Sequence, residues 1–191
     1  MKGTKWFLSM VLCAVTAACS IPQRPVNVYD KDGVRFDYHP DWKITEDQPF
    51  SGASPSRIIM IDGPNYALLT IHLVPNTVPT TLEEFANTFA NKRADGIKKR
   101  FFGVETNLAP LVEGTSENTT ALISGEKNVG NRQRFTVPVH GKLVPCTAEF
   151  FMLRRGRYKV FLLALAINES IESSRAALQK IYDTLTLETH Q

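Results

Sequence analysis

The chain has 191 residues, of which 22 are lysine or arginine and 19 are aspartate or glutamate, so its formal net charge at pH 7 is +3. A protein that binds nucleic acid through phosphate contacts needs a strongly basic surface, so this balance excludes that class and no nucleic-acid partner is expected. The hydrophobic fraction of 43% and the charged fraction of 21% are ordinary for a globular protein.

Residues 1–18 have the organisation of a bacterial secretory signal peptide. A short basic start precedes an apolar run from Trp6 to Val15, and the small residues Ala17 and Ala18 follow directly before Cys19. The apolar stretch ends well short of the roughly 20 residues that a membrane-spanning helix needs. We therefore predict that this segment is cleaved and does not remain as a transmembrane anchor.

The four residues Thr16-Ala17-Ala18-Cys19 resemble a bacterial lipobox, although leucine is the usual residue at the position of Thr16. The resemblance implies that Cys19 becomes the first mature residue and carries a diacylglyceryl group, usually with a third acyl chain. Several acyl chains anchor a protein stably. Ser20 resembles the outer-membrane sorting signal, so the expected location is the cell envelope, with an outer-membrane lipid anchor and a domain facing the periplasm. The alternative is an ordinary cleaved signal with a chance cysteine nearby.

Cysteine usage limits how the mature domain can be stabilised. Cys13 is lost with the signal peptide and Cys19 is linked to lipid, so the mature chain keeps Cys146 and can form no internal disulfide. Cys146 lies close to Val144 and Phe150, which predicts a small buried hydrophobe rather than a nucleophile.

Residues 19–27 are interpreted as a lipidated tether, and residues 28–191 as a single domain. At the start of that domain, Val34–Tyr38 alternates apolar and polar residues, as a half-buried strand does. His39-Pro40-Asp41 is a turn, and we expect Trp42–Thr45 to return as the second arm of a hairpin.

Two further strands and a helix are predicted next. Arg57–Ile61 and Tyr66–Val74 are apolar segments separated by turn residues, and the second places His72 on the face opposite Leu69. Thr80 is predicted to cap a helix, since Glu83 stands three residues later as in a capping box. The apolar stripe of this helix comprises Leu82, Phe85, Ala86, Phe89 and Ala90.

The second half is predicted to consist of antiparallel strands and a closing helix. The strands are Val104–Val112, Thr119–Glu126, Arg132–Val139, Cys146–Leu153 and Tyr158–Ile167. The continuous apolar run of the last one predicts a central strand that is buried on both faces. Asn168 is expected to cap the closing helix, whose stripe is Ile171, Leu178, Ile181, Tyr182 and Leu185.

This order predicts an α+β fold in which an antiparallel β-sheet is flanked by helices. Four segments of the chain carry a family resemblance: Gly33–Trp42, the helix start Thr81–Phe85, Gly156–Val160 and the last helix, Leu178–Leu185. Together they resemble the PsbP-like superfamily, which includes the DcrB-type bacterial lipoproteins. The resemblance implies an α-β-α sandwich. It carries over no site residues, because the superfamily has no common catalytic motif, and it implies an accessory or assembly role.

No catalytic motif is present, so we expect a protein that is not an enzyme and uses no cofactor. A cluster of Asp30, Asp32, Asp37, His39 and Asp41 could bind a divalent cation, but its spacing is not that of a calcium loop, and a polar hairpin rim is the favoured interpretation, so no metal site is predicted. His72 is expected to be a hydrogen-bonded histidine under a helix, not a ligand.

Three arginines, Arg154, Arg155 and Arg157, crowd the loop of the predicted last hairpin. They are candidates for contact with an anionic lipid head group or an acidic partner, and the alternative is a solvated hairpin end. The favoured function is a membrane-anchored lipoprotein, attached through Cys19, with a non-enzymatic accessory or binding role and an envelope protein as partner. An envelope hydrolase without a recognisable motif and a carrier of a small ligand or metal remain as alternatives.

Overall fold

The fold is taken from a computed structural model of the chain, and the residues described are 25–49, 56–97, 99, 112–167 and 170–188. The predicted signal peptide and Cys19 lie outside these residues, as do the predicted helix cap Asn168 and most of the predicted strand Val104–Val112. None of the described helices is both long and apolar enough to cross a membrane.

The described part of the chain contains ten strands, two α-helices and a short 3-10 helix at Pro64–Tyr66. The strands are β1 (Asn27–Lys31), β2 (Val34–Tyr38), β3 (Lys43–Gln48), β4 (Arg57–Asp62), β5 (Leu68–Pro75), β6 (Val112–Ile123), β7 (Glu126–Val139), β8 (Lys142–Arg155), β9 (Tyr158–Ile167) and β10 (Thr186–Leu187). The helices are α1 (Leu82–Ile97) and α2 (Ser170–Thr184).

The strands form two antiparallel sheets. The larger has seven strands in the order β3-β4-β5-β9-β8-β7-β6, and the smaller has three in the order β1-β2-β10. Every pairing is antiparallel. The structure is therefore the α+β fold with an antiparallel sheet that the sequence predicts.

Strand β9 is the centre of the large sheet and is covered on both faces. Its residues from Lys159 to Ala166 are all buried. Successive side chains of a strand point to opposite faces, so Leu162 packs in the core on the α2 side while Leu163 packs in the core on the α1 side. This arrangement confirms the central strand predicted from the continuous apolar run.

One helix covers each face of the large sheet. Phe85 of α1 stacks on Phe161 with 4.6 Å between ring centroids, and Phe89 meets the edge of Phe150 at 5.6 Å. On the other face, the predicted stripe of α2 is buried at Ile171, Leu178, Ile181, Tyr182 and Leu185. The small sheet joins α2 in this layer, since Val34 and Phe36 belong to the same core.

The first predicted hairpin is wrong in its pairing. Strand β2 and the turn after it are present, and the Trp42 amide donates to the His39 carbonyl at 2.9 Å. However, β2 pairs with β1 and β10, whereas β3 pairs with β4 in the other sheet. Trp42 is buried between the two sheets, so close to Gly63 that a β-carbon there would lie 2.5 Å from the indole ring. The chain thus passes from the small sheet to the large sheet at Trp42 instead of forming a hairpin between β2 and β3.

Two ion pairs, each with one buried member, join the layers. Arg57 of β4 is fully buried and bonds Asp47 of β3, with 3.1 Å between Nε and Oδ1, and the Tyr29 hydroxyl of β1 at 2.6 Å. In the other pair, the Glu149 carboxylate of β8 lies 3.0 Å from Arg175 of α2. The first pair connects the small sheet to the large one, and the second connects α2 to the large sheet.

Helix α1 begins one residue later than predicted. The Glu84 amide donates to the Thr81 hydroxyl at 3.1 Å, and the Thr81 amide donates to the Glu84 carboxylate at 2.8 Å. These reciprocal bonds form a capping box, so Thr81 and Glu84 take the places predicted for Thr80 and Glu83. The Thr80 carbonyl instead accepts a bond from Lys159.

Candidate functional site

A groove of about 590 Å³ lies between α1 and the large sheet. It exists because α1 packs towards β7, β8 and β9, and so does not fill the space over β4 and β5. The residues that line it are Ser56, Ile58, Met60, Thr70, His72, Val74, Val78, Thr80, Phe85, Thr88, Phe89, Phe161 and Leu163. Ligand sites in proteins have volumes of this size, about 300–1,000 Å³.

The lining is mainly aliphatic and aromatic, and hydroxyl groups supply most of its polarity. Among the described residues that line it, His72 is the one titratable side chain, and burial lowers the pKa of its imidazole below the usual 6.5. The imidazole is therefore neutral at pH 7, and the groove wall carries no formal charge. Such a wall suits an apolar group and rejects an ion, because an ion placed there would lose its hydration without gaining a partner.

His72 is a half-buried polar side chain of the groove, and one of its nitrogens is buried and unsatisfied among the described residues. The ring lies 5.7 Å from the ring of Phe85 in α1, which confirms that the histidine lies under a helix. Its Nε2 is buried and makes no hydrogen bond with any residue that the structure describes. The prediction of a hydrogen-bonded histidine is therefore wrong at this nitrogen within the described residues, where the ring instead packs near Phe85.

A buried lysine lies beside one end of the groove, next to the lining residues Val78 and Thr80. Lys159 of β9 is 8% exposed, and its Nζ donates to the carbonyl oxygens of Val78 at 2.7 Å and Thr80 at 3.1 Å. In the sheet register, Lys159 stands between Val74 of β5 and Arg154 of β8. The same row therefore contains an apolar residue of the groove and two cations.

The three predicted arginines do not act as one cluster. Arg154 is exposed and forms no salt bridge with any residue of the described ranges. Arg155 pairs with Glu126 at 3.1 Å, at the start of β7. Arg157 donates to the Tyr158 hydroxyl at 3.0 Å and lies over its ring, 5.2 Å from the centroid. Among the described residues, Arg154 and Arg157 are thus both exposed without a salt bridge, and Arg157 differs in being held against Tyr158.

The acidic residues near the amino end are dispersed over separate ion pairs. Asp30 pairs with Arg35 at 2.6 Å, and Asp37 lies 3.7 Å from Lys180 of α2. Asp41 lies 3.4 Å from the imidazole of its neighbour His39. Within residues 25–49, 56–97, 112–167 and 170–188, no group of three or more His, Cys, Asp or Glu side chains converges as metal ligands would.

The remaining histidines and the cysteine offer no shared site. His39 follows β2 and His140 occupies the turn between β7 and β8, whereas His72 lies within β5. His190 lies outside the described residues. Cys146 is buried, as predicted, and its Sγ lies 3.7 Å from the Val144 carbonyl.

Sequence reasoning did not find the groove, although one signal pointed towards it. The alternation in β5 separates Leu69 and Ile71 from Thr70 and His72, which identifies a second, less apolar face. What the alternation cannot reveal is that α1 packs to one side and does not fill the space over this face. That offset depends on where Phe85 and Phe89 find their aromatic partners.

No protein-family model matches the chain, and no curated protein matches it either. Among solved structures, the chain is similar to cyanobacterial PsbP (CyanoP) from Synechocystis sp. PCC 6803, with 12% sequence identity and a TM-score of 0.42. The match covers 91% of this chain and 99% of CyanoP. The chain is also similar to LpqN, involved in cell envelope biogenesis of Mycobacterium tuberculosis, with 14% identity, 86% and 91% covered, and a TM-score of 0.39.

A protein from Bacteroides thetaiotaomicron VPI-5482 is a third similar structure, with 8% identity and a TM-score of 0.46 over 86% of this chain. The chain spans only 48% of the length of that protein. A PsbP protein is thus among the similar structures, as the sequence resemblance predicts. These likenesses concern the fold, which is established by the strand pairing of the chain itself.

Proposed function

We propose that this chain is a membrane-anchored bacterial lipoprotein with a non-enzymatic binding role in the cell envelope, and that the groove beside α1 is its binding site. The amino-terminal sequence supports the membrane-anchored location, since the order of basic, apolar and small residues before Cys19 is that of a lipoprotein signal. The groove supports the role, since it is a concave, mainly apolar site with few polar groups.

The observation that carries the proposal is the composition of the groove wall. A hydrolase needs a nucleophile or a base within hydrogen-bond reach of a reacting atom. Here the one titratable wall residue, His72, has its Nε2 buried without a hydrogen bond and faces an aromatic ring. Retention of an apolar ligand suits this wall better than acid–base chemistry.

The membrane anchoring is tested by fractionating cells that express the wild-type chain or the Cys19→Ala variant. We expect the wild-type protein in the membrane fraction, with a mature amino terminus whose mass includes the lipid. The variant should move to the soluble fraction or retain its leader. An unmodified thiol at the wild-type amino terminus would contradict the lipoprotein assignment.

The binding role is tested with N-phenyl-1-naphthylamine, an uncharged apolar fluorophore, and the Cys19→Ala chain. Ile58→Glu places a carboxylate in the groove wall and should abolish the fluorescence increase on binding. Leu122→Glu is the matched control, because Leu122 is 56% exposed on β6, outside the groove. Circular dichroism of both variants checks that they fold. No binding by the parent, or equal loss in both variants, would contradict the assignment of the groove.

A further inference from the structure

We infer that the ligand of this groove is an amphiphile with a single alkyl chain and an anionic head group, held with its chain along β5 and β9 and its head at Lys159 and Arg154. The inference rests on the proposed function and adds the chemical class of the ligand. It joins two features of one face of the large sheet, an uncharged wall and a cationic end.

The sheet register places both features on the same face. Phe161 lines the groove, and Lys159 lies two residues before it on β9, so their side chains point to the same side. Phe150 of β8 packs in the core on the α1 side, and by the same alternation Arg154 points to that side too. Because Arg154 is the register partner of Lys159, the two cations are neighbours at the groove end.

Lys159 has an incomplete set of partners for a buried ammonium group. Two of its three N–H donors are used by the Val78 and Thr80 carbonyls, and it forms no salt bridge with any described residue. A buried charge is costly unless an opposite charge pairs with it. An anionic head group at this position would take the third donor and place an opposite charge in direct contact with the ammonium group.

Arg154 extends the cationic end towards solvent. Its guanidinium is exposed and unpaired within the described ranges, whereas Arg155 and Arg157 are engaged elsewhere. A guanidinium binds carboxylate and phosphate oxygens through two parallel bonds. The anion already near this end is Glu84, whose Oε2 accepts hydrogen bonds from the Thr81 amide and hydroxyl at 2.8 and 3.1 Å. These bonds and, as a smaller cause, the charge of Lys159 lower the pKa of the Glu84 carboxyl, which lies beyond salt-bridge distance of Lys159.

The wall defines the other half of the ligand. It is apolar from Ile58 and Met60 on β4 to Phe161 and Leu163 on β9, with no formal charge. An alkyl chain gains free energy from each methylene that it buries against such a wall, whereas a second charged group would find no opposite charge among the described lining residues. The uneven distribution of charge along the groove therefore favours an amphiphile over a uniformly apolar or a uniformly polar molecule.

The experiment compares three probes with the same alkyl chain, palmitate, hexadecyl phosphate and hexadecanol, by titration of the Cys19→Ala chain at pH 8. At least one anion should bind about tenfold more tightly than the alcohol, since a charge-assisted hydrogen bond is worth more than a neutral one. The tighter anion identifies the head group as carboxylate or phosphate. Equal affinity for all three probes would overturn the inference.

Variants separate the inference from the proposed function. Arg154→Gln should remove most of the preference for the anions, because it lowers their affinity far more than that of hexadecanol. Arg35→Gln is the matched control, because Arg35 is an exposed arginine of the small sheet that pairs with Asp30, and it should keep the preference. A preference that survives Arg154→Gln would overturn the head-group assignment while apolar binding stands. Failure of all three probes to bind the parent would defeat the proposed function itself.

Discussion

At the scale of single residues, His72 combines two properties that shape the groove wall. It is a titratable group largely removed from water, and its Nε2 has no hydrogen-bonding partner. Burial disfavours the charged imidazolium, which is why the pKa of His72 falls below 6.5. The same burial keeps the groove wall uncharged at neutral pH, and so the histidine supports apolar binding without contributing a charge.

The His72→Phe variant should alter how stability depends on pH. In the wild type, the unfolded state takes up a proton at His72 below pH 6.5 and the folded state does so only at lower pH. The contribution of neutral His72 is therefore complete above pH 6.5 and declines as the pH falls towards its folded pKa. The free energy of unfolding of the variant, measured with urea, should exceed that of the wild type by an amount that grows from pH 7 to pH 5. A constant difference would contradict a depressed pKa.

At the scale of elements, the start of α1 fixes one end of the groove. The capping box of Thr81 and Glu84 defines where the helix begins. The Thr80 carbonyl, just before the helix, receives the Lys159 bond. The exposed Glu84 carboxylate accepts hydrogen bonds from the Thr81 amide and the Thr81 hydroxyl. These bonds, of which the one from the amide has the larger effect, hold the pKa of Glu84 below its usual value. Two adjacent residues thus fix both features: Thr81 caps the helix, and Thr80 binds the Lys159 ammonium group.

Replacing Thr81 by alanine should cost about 1 kcal/mol in the free energy of unfolding, because the first helical turn loses its side-chain acceptor. Thr80→Ala is the matched control and should cost less than about 0.5 kcal/mol, since the Thr80 hydroxyl makes no cap. Thermal or urea unfolding distinguishes the two. A larger loss in Thr80→Ala would show that the helix begins one residue earlier, as the sequence pattern alone predicts.

At the scale of the whole molecule, the two sheets are held together by a buried polar contact as well as by apolar packing. Asp47 of β3 receives hydrogen bonds from Tyr29 and Lys31, both of β1, and from Arg57. Burial alone would raise the pKa of Asp47, but the bonds from Lys31, Arg57 and Tyr29 outweigh it and lower the pKa from 3.8 to about 2. Removing the carboxylate would leave the fully buried Arg57 with weaker partners.

We expect Asp47→Asn to lower the free energy of unfolding by about 3 kcal/mol, the loss typical of breaking a buried ion pair. Asp30→Asn, in an exposed pair with Arg35, should cost no more than about 1 kcal/mol. The contribution of Asp47 is complete above pH 3.8 and lost as the pH falls through about 2. Acid unfolding of the wild type over that range should therefore be steeper than that of Asp47→Asn, and identical profiles would contradict this role.

The sequence by itself determined the features that depend on local pattern. Alternation identified β2 and β5, the continuous apolar run identified β9 as the central strand, and helical spacing identified the buried face of α2. The predicted class, an antiparallel sheet flanked by helices, followed from their order. These features are legible because the burial of a residue within a strand or helix repeats with a fixed period along the chain.

Tertiary structure alone decided which segments meet. The sequence could not show that β2 pairs with β10, more than a hundred residues away, because pairing is a choice among many possible partners. Nor could it show that α1 stops short of β4, or that Arg154 and Lys159 become neighbours at the end of the resulting groove. A site of this kind is formed by contacts between segments that are distant in sequence, and the local periodicity of the sequence does not predict such contacts.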